Sequence, residues 1–191
     1  DVWGGVLAAG LIVGLLVAVL DGEDLAGAVH RLGLAVLGVL YVGFFTPHIA
    51  LLRAPAEGWR WVLFTVYVAM ASDSGGYFAG RAFGRHKLAP AVSPSKTVEG
   101  AIGAVAGAML NAALCRAIFL RALAIEEALL LGFGISVLAQ MGDLCESALK
   151  RAFGAKDSGW IIPGHGGILD RLDSLLFPFV FTYYYAAFPR V

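Results

Sequence analysis

Residues 2–20 read VWGGVLAAGLIVGLLVAVL, a run without a single charged side chain. As a helix it is about 28 Å long, close to the roughly 30 Å hydrocarbon core of a bilayer. Five more apolar stretches follow, over residues 26–45, 59–78, 98–120, 128–141 and 168–188. Each is continuously apolar and rich in Gly and Ala rather than alternating, which is the pattern of a spanning helix and not of a barrel strand. The expected fold is all-α, a polytopic membrane protein of about six transmembrane helices.

Composition agrees. The chain of 191 residues is 59% hydrophobic and 15% charged, against roughly 25% charged in soluble domains. Its formal net charge is zero, and no Lys/Arg run interleaves with aromatics, so nucleic acid is not an expected partner. Cys115 and Cys145 lie in or near spans in no metal-ligand spacing and read as small buried hydrophobes. Residues 2–20 lack a basic leading segment and a small-residue cleavage site, so they do not read as a signal peptide. A first residue that is Asp rather than Met suggests a trimmed N-terminus.

If six spans are present, segments 21–25, 79–97 and 142–167 share one side. The two longer ones carry Arg81, Arg85, Lys87, Lys96, Lys150, Arg151 and Lys156, whereas the opposite side has Arg53, Arg60, Arg121 and Arg190. The excess of basic residues places the long loops in the cytoplasm.

Ionisable residues gather at that face. Asp73 lies near the end of the third span, Lys96 and Glu99 at the start of the fourth, Asp143 at the end of the fifth, and Asp170, Arg171 and Asp173 at the start of the sixth. A charge at mid-membrane costs about 2.5–3.5 kcal/mol on insertion scales, and Asp is too short to snorkel far. Converging carboxylates of this kind suit a hard cation such as Mg²⁺, which binds through one or two of them plus substrate phosphates. The bland alternative is a set of interfacial charges reaching for headgroups.

Segment 93–100, SPSKTVEG, reads as a loop feeding a helix, with Ser95 as N-cap and Thr97 in the first turn. Such a start, with Lys96 and the hydroxyls, suits a polyphosphate. Segment 163–167, PGHGG, lets backbone approach a ligand closely or simply turns the chain. In it His165 is open to three roles: phosphate donor, proton shuttle or turn cap. Over 144–153 a helical extension carries Ser147, Lys150 and Arg151, and places Asp143 and Ser147 one turn apart on a shared face. Lys150 and Arg151 also suit a basic rim for anionic lipid. Gly103 and Gly107 form a GxxxG pair, which allows close helix packing within the chain or pairing of two protomers as a homodimer.

Residues 147–173, from Ser147 through Lys150, Arg151, Lys156, Asp157, Pro163, His165, Gly166, Gly167, Asp170 and Arg171 to Asp173, resemble the signature of the CDP-diacylglycerol synthases, or phosphatidate cytidylyltransferases. Segments 73–81 and 93–100 resemble further family blocks in the same order. The one departure is Ser74-Gly75-Gly76 after Asp73, where members commonly carry Thr or another small residue and Ala. The resemblance runs from about Tyr41 to the C-terminus. It implies a single membrane domain, with 1–58 as N-terminal helices shortened relative to the family and 59–191 as the catalytic portion.

The resemblance further implies that CTP and phosphatidate give CDP-diacylglycerol and pyrophosphate in the cell inner membrane, among membrane lipids. It implies a two-metal centre, Mg²⁺ with a second divalent or monovalent ion, on Asp143 and Asp170 with Ser147 nearby. The expected mechanism is in-line attack of a phosphatidate oxygen on the α-phosphorus of CTP, with Lys96, Arg171 and Lys156 offsetting charge and Asp173 and Glu99 orienting these cations. Substrate-binding candidates are Asp73, Ser93, Ser95, Lys96, Thr97, Glu99, Ser147, Lys150, Arg151, Lys156, Asp157, His165, Gly166 and Gly167. A CTP-dependent polyprenol or phytol kinase is the alternative enzyme, and a transporter a more distant one, with no internal repeat or paired broken spans to support it. The Asp-Gly-x-x-Ala-Arg motif of CDP-alcohol phosphotransferases is absent, since Asp21-Gly22 continues Glu-Asp-Leu-Ala.

Overall fold

Seven α-helices and one short hairpin account for most of residues 2–20, 24–154, 167 and 169–187, the parts of the chain that the computed structural model describes. They fall into two compact units, Asp1–Pro47 and His48–Val191. The first holds α1 (Val2–Leu20) and α2 (Leu25–Gly38), which runs on into a π-helical turn over Val39–Phe44. Asp24 caps α2 by accepting from the Gly27 N–H at 2.9 Å, and Gly14 of α1 lies against the Leu32 side chain of α2.

The second unit contains α3 (Pro47–Arg53), α4 (Gly58–Phe83), a hairpin of β1 (Lys87–Ala89) and β2 (Ser93–Thr97), α5 (Val98–Ile118), α6 (Ile125–Ala152) and α7 (Leu169–Ala187). Three runs are long and apolar enough to cross a membrane, Leu25–Arg53, Val98–Ile118 and Ile125–Ala152. The protein is thus an all-α membrane protein. The 28 residues of α6 extend about 42 Å, well beyond a roughly 30 Å core, so the extension expected over 144–153 is the end of the same helix.

Small residues set the helix spacing. Gly103 and Gly107 face α4, where an added Cβ on Gly107 would stand 2.8 Å from the Ala71 carbonyl oxygen and one on Gly100 would stand 3.0 Å from that of Gly76. The GxxxG pair is therefore spent on packing inside one chain, where close backbone approach strengthens dispersion contacts that lipid cannot supply. Around this seam Phe64, Val68 and Ala69 of α4, Ala108, Ala112 and Cys115 of α5, and Leu131 and Ile135 of α6 form the buried core. Buried hydroxyl pairs tie it laterally, Thr65 to Thr182 at 3.0 Å and Ser72 to Ser136 at 2.7 Å.

Segment 93–97 differs from the loop expected of it. Ser93–Thr97 is a strand paired antiparallel with Lys87–Ala89, in register Lys87 to Thr97 and Ala89 to Ser93. Thr97, not Ser95, is the N-cap of α5, its hydroxyl accepting from the Gly100 N–H at 3.1 Å. Pro94 biases Ser93 toward extended backbone, and an extended Thr97 suits the cap position.

Candidate active site

The C-terminal part of α4, the N-terminal turns of α5, the hairpin and the end of α6 enclose a cavity of ≈ 460 Å³, within the usual range of about 300–1,000 Å³ for ligand sites. Its walls are small where backbones must come close, at Gly76, Gly80 and Gly100, and polar at Asp73, Arg81, Ser95, Lys96, Thr97, Gln140 and Asp143. From Ser72 to Arg81 along α4 the lining covers about 13 Å of helix axis, so the cavity reaches well in from the helix ends.

Lys96 at the end of β2 forms an ion pair with Asp143 of α6. The Asp143 carboxylate also accepts from the Ser147 hydroxyl at 3.3 Å, one turn along the same helix. Asp73, Asp143 and Asp173 lie within electrostatic reach of one another. What brings α7 so near is Gly142, where any side chain would run into the Asp173 carbonyl. Three carboxylates gather around Lys96, with Arg81 on the cavity wall, a surplus of acid over base that draws in a cation.

Beside this group sits a second one. Lys150 Nζ is 2.6 Å from Glu146 Oε2 and donates to Asp170 Oδ1 at 2.8 Å, while the Gly167 N–H donates to Asp170 Oδ2 at 2.7 Å. Glu146 is 1% exposed, so its charge depends on that lysine. Lys150 is thereby drawn inward between two acids, not out toward a lipid surface, whereas Arg151 next to it is exposed.

Glu99 is turned to a different task. Its carboxylate accepts from the Arg85 N–H at 3.0 Å and the His86 N–H at 3.2 Å, and meets His86 Nδ1 at 2.6 Å. It clamps the base of the hairpin, and with it the strand carrying Ser95, Lys96 and Thr97. Ser93 sits in the hairpin pairing and does not line the cavity. Lys156, Asp157, His165 and Gly166 lie outside the described residues, as does the side chain of Arg171.

Among the described residues no three acidic, cysteine or histidine side chains close on one point as a complete metal cage. Mg²⁺ asks for less, one or two carboxylates together with substrate phosphates. Asp143 beside the Ser147 hydroxyl, with Asp73 and Asp173 in reach, is an all-oxygen donor set of that kind. Both Asp170 oxygens are engaged by Lys150 and Gly167, as both Asp143 oxygens are by Ser147 and Lys96.

A profile described as the cytidylyltransferase family matches residues 1–188. The chain belongs to the cytidylyltransferase family. It is 40% identical over 158 residues to a phosphatidate cytidylyltransferase of Bacillus subtilis, covering 82% of this chain and 59% of that protein. To the enzyme of the same name from Staphylococcus epidermidis it is 42% identical over 141 residues, 74% of this chain and 54% of the relative. A Brucella suis relative, likewise named, is 43% identical over 162 residues, 78% and 56% of the two chains. The chain thus spans somewhat over half the length of these cytidylyltransferases.

Several residues of this candidate site escape a reading by charge at helix ends. Arg81 lines the cavity from the last turn of α4, and Ser72 and Gln140 lie deeper, where neutral polar residues look like helix packing. Glu146 had a legible signal, the i,i+4 pairing with Lys150.

Proposed function

We propose that this chain joins phosphatidate to the cytidylyl group of CTP, giving CDP-diacylglycerol and pyrophosphate. The observation that carries the proposal is the cavity at the helix ends, where the Lys96–Asp143 pair, Arg81 and the neighbouring carboxylates of Asp73 and Asp173 meet, in a chain about 40% identical to phosphatidate cytidylyltransferases.

The reaction needs no protein nucleophile. A phosphate oxygen of phosphatidate forms a bond to the α-phosphorus of CTP, the bond from that phosphorus to the bridging oxygen breaks, and pyrophosphate departs with the electron pair. Enzymes speed such displacements by holding the partners in line and neutralising charge. Lys96 and Arg81 suit the triphosphate, Lys96 also being held in place by Asp143, and the clamp of Glu99 on the hairpin fixes where that lysine stands. Lys150 orients Asp170 and Glu146 beside the site. Asp143 with Ser147, and Asp170, are the residues that would hold a Mg²⁺ ion, which would supply Lewis-acid neutralisation of phosphate oxygens. The proposal includes an inner-membrane location with the cavity open to the cytoplasm.

Purified protein in detergent with phosphatidate, Mg²⁺ and CTP labelled at the α-phosphorus tests the reaction. Label in the lipid and release of pyrophosphate are expected, and Asp143→Asn is expected to lower turnover at least 100-fold while the protein still inserts in membranes. Label left in CDP, with lipid labelled only by γ-labelled CTP, would assign a kinase instead.

A further inference from the structure

We infer that Gln140 selects cytosine over uracil, by offering its side-chain carbonyl oxygen to the 4-amino group of the base. The inference rests on the proposed use of CTP.

Gln140 lines the cavity one helical turn inward from Asp143. Its Nε2 donates to Ser136 Oγ at 3.2 Å on α6 and approaches the Ala101 carbonyl of α5 at 3.5 Å. Ser136 in turn shares a hydrogen bond of 2.7 Å with Ser72 of α4, and both serines are buried. Three helices therefore determine which way the amide faces. Because a backbone carbonyl only accepts, the group turned to Ala101 must be the amide nitrogen. A flip would set two oxygens against each other.

With Nε2 turned toward Ser136 and the Ala101 carbonyl, Oε1 is the atom left to meet a ligand, and among the described residues no donor engages it. An acceptor held in one orientation distinguishes the two pyrimidines. Cytosine presents an N4–H₂ donor at the edge where uracil presents an O4 acceptor. The cavity also divides by charge. Lys96 and Arg81 lie nearer the helix ends, suited to phosphates, whereas Ser72, Ala104 and Gln140 line the cavity further along their helices, with Asp73 next to Ser72, and offer a base uncharged surface beside that acid. A site that hydrogen-bonds a substrate amine discriminates strongly against an analogue lacking it, since the buried acceptor is then left unpaired.

The test compares CTP, UTP and the triphosphate of 4-deaminocytidine as substrates of the full chain, unaltered and as Gln140→Leu. In the unaltered chain kcat/KM for CTP should exceed that for either alternative by roughly 10- to 100-fold. In Gln140→Leu the ratio of CTP to the deamino analogue should collapse toward one. Equal use of CTP and the deamino analogue by the unaltered chain would overturn the assignment, and this comparison stands even where the variant fails to accumulate. A variant that slows all three triphosphates alike, keeping the ratio, would reduce Gln140 to packing, and one that raises only the KM for phosphatidate would give the inner wall to the lipid. Should no triphosphate label lipid, the transfer reaction fails by itself, and competition against bound labelled CTP reads the same selectivity. Failure of CTP to bind overturns both.

Discussion

Glu146 shows what a single side chain can owe to another. It is the most deeply buried acid of the described residues, and Lys150 is the cation beside it. Removing one partner of a buried pair leaves an uncompensated charge, at a cost of about 3–5 kcal/mol. Since Lys150 is 21% exposed, the low end applies. Lys150→Met is expected to destabilise the protein by about 3 kcal/mol, seen as a lower melting temperature in detergent. Glu146→Gln added to it should recover part of the loss, because the neutral amide no longer needs a counter-ion. Equal melting temperatures for the single variant and the parent would show that the pair holds nothing together. Asp143 answers to Lys96 in a comparable way, but its partner comes from a strand distant in sequence, and spacing along the chain did not reveal it.

At the scale of elements, the α4–α5 seam places both walls of the cavity. Gly107 cannot take even a methyl group without displacing the Ala71 carbonyl, whereas Gly33 of α2 has nothing within 4 Å of such a methyl. Overpacking a tight contact costs about 1–3 kcal/mol, while Gly to Ala in an open helix position is favourable by up to about 1 kcal/mol. Gly107→Ala is therefore expected to lower the melting temperature and the turnover together, with Gly33→Ala unchanged or slightly raised. The opposite order would mean that the seam is looser than these contacts indicate. The hairpin is the other element that matters, since it carries Lys96 and is held at its base by Glu99. The expectation of a loop there had the right residues in the wrong conformation, because helix caps and strand ends use the same Ser and Thr.

For the whole molecule the consequence is a polarity across the bilayer. The hairpin precedes α5 and the turn at Arg121 follows it, 21 residues later, about 32 Å along the axis. With Cys145 replaced by Ser and Cys115 buried, an impermeant thiol reagent applied to intact cells should modify Arg121→Cys and spare Lys87→Cys. Modification of both from one side would overturn α5 as a span, and the reversed pattern would overturn the cytoplasmic orientation.

Much of this was legible without coordinates. Long apolar runs without alternation dictate membrane helices, since inside lipid a helix satisfies its own backbone hydrogen bonds, and the carboxylates of Asp73, Asp143 and Asp173 near the ends of such runs are brought within electrostatic reach of one another. Residue types at fixed spacing also carried the family likeness that the matched relatives then supported. Only the tertiary structure decided who meets whom: Lys96 with Asp143, Lys150 with Glu146 and Asp170, Glu99 with the hairpin, and Gln140 held by Ser136 and Ala101. Those pairings depend on helix spacing of a few ångströms, which is set by what a glycine leaves out, and no pattern along one chain reports the distance between two helices.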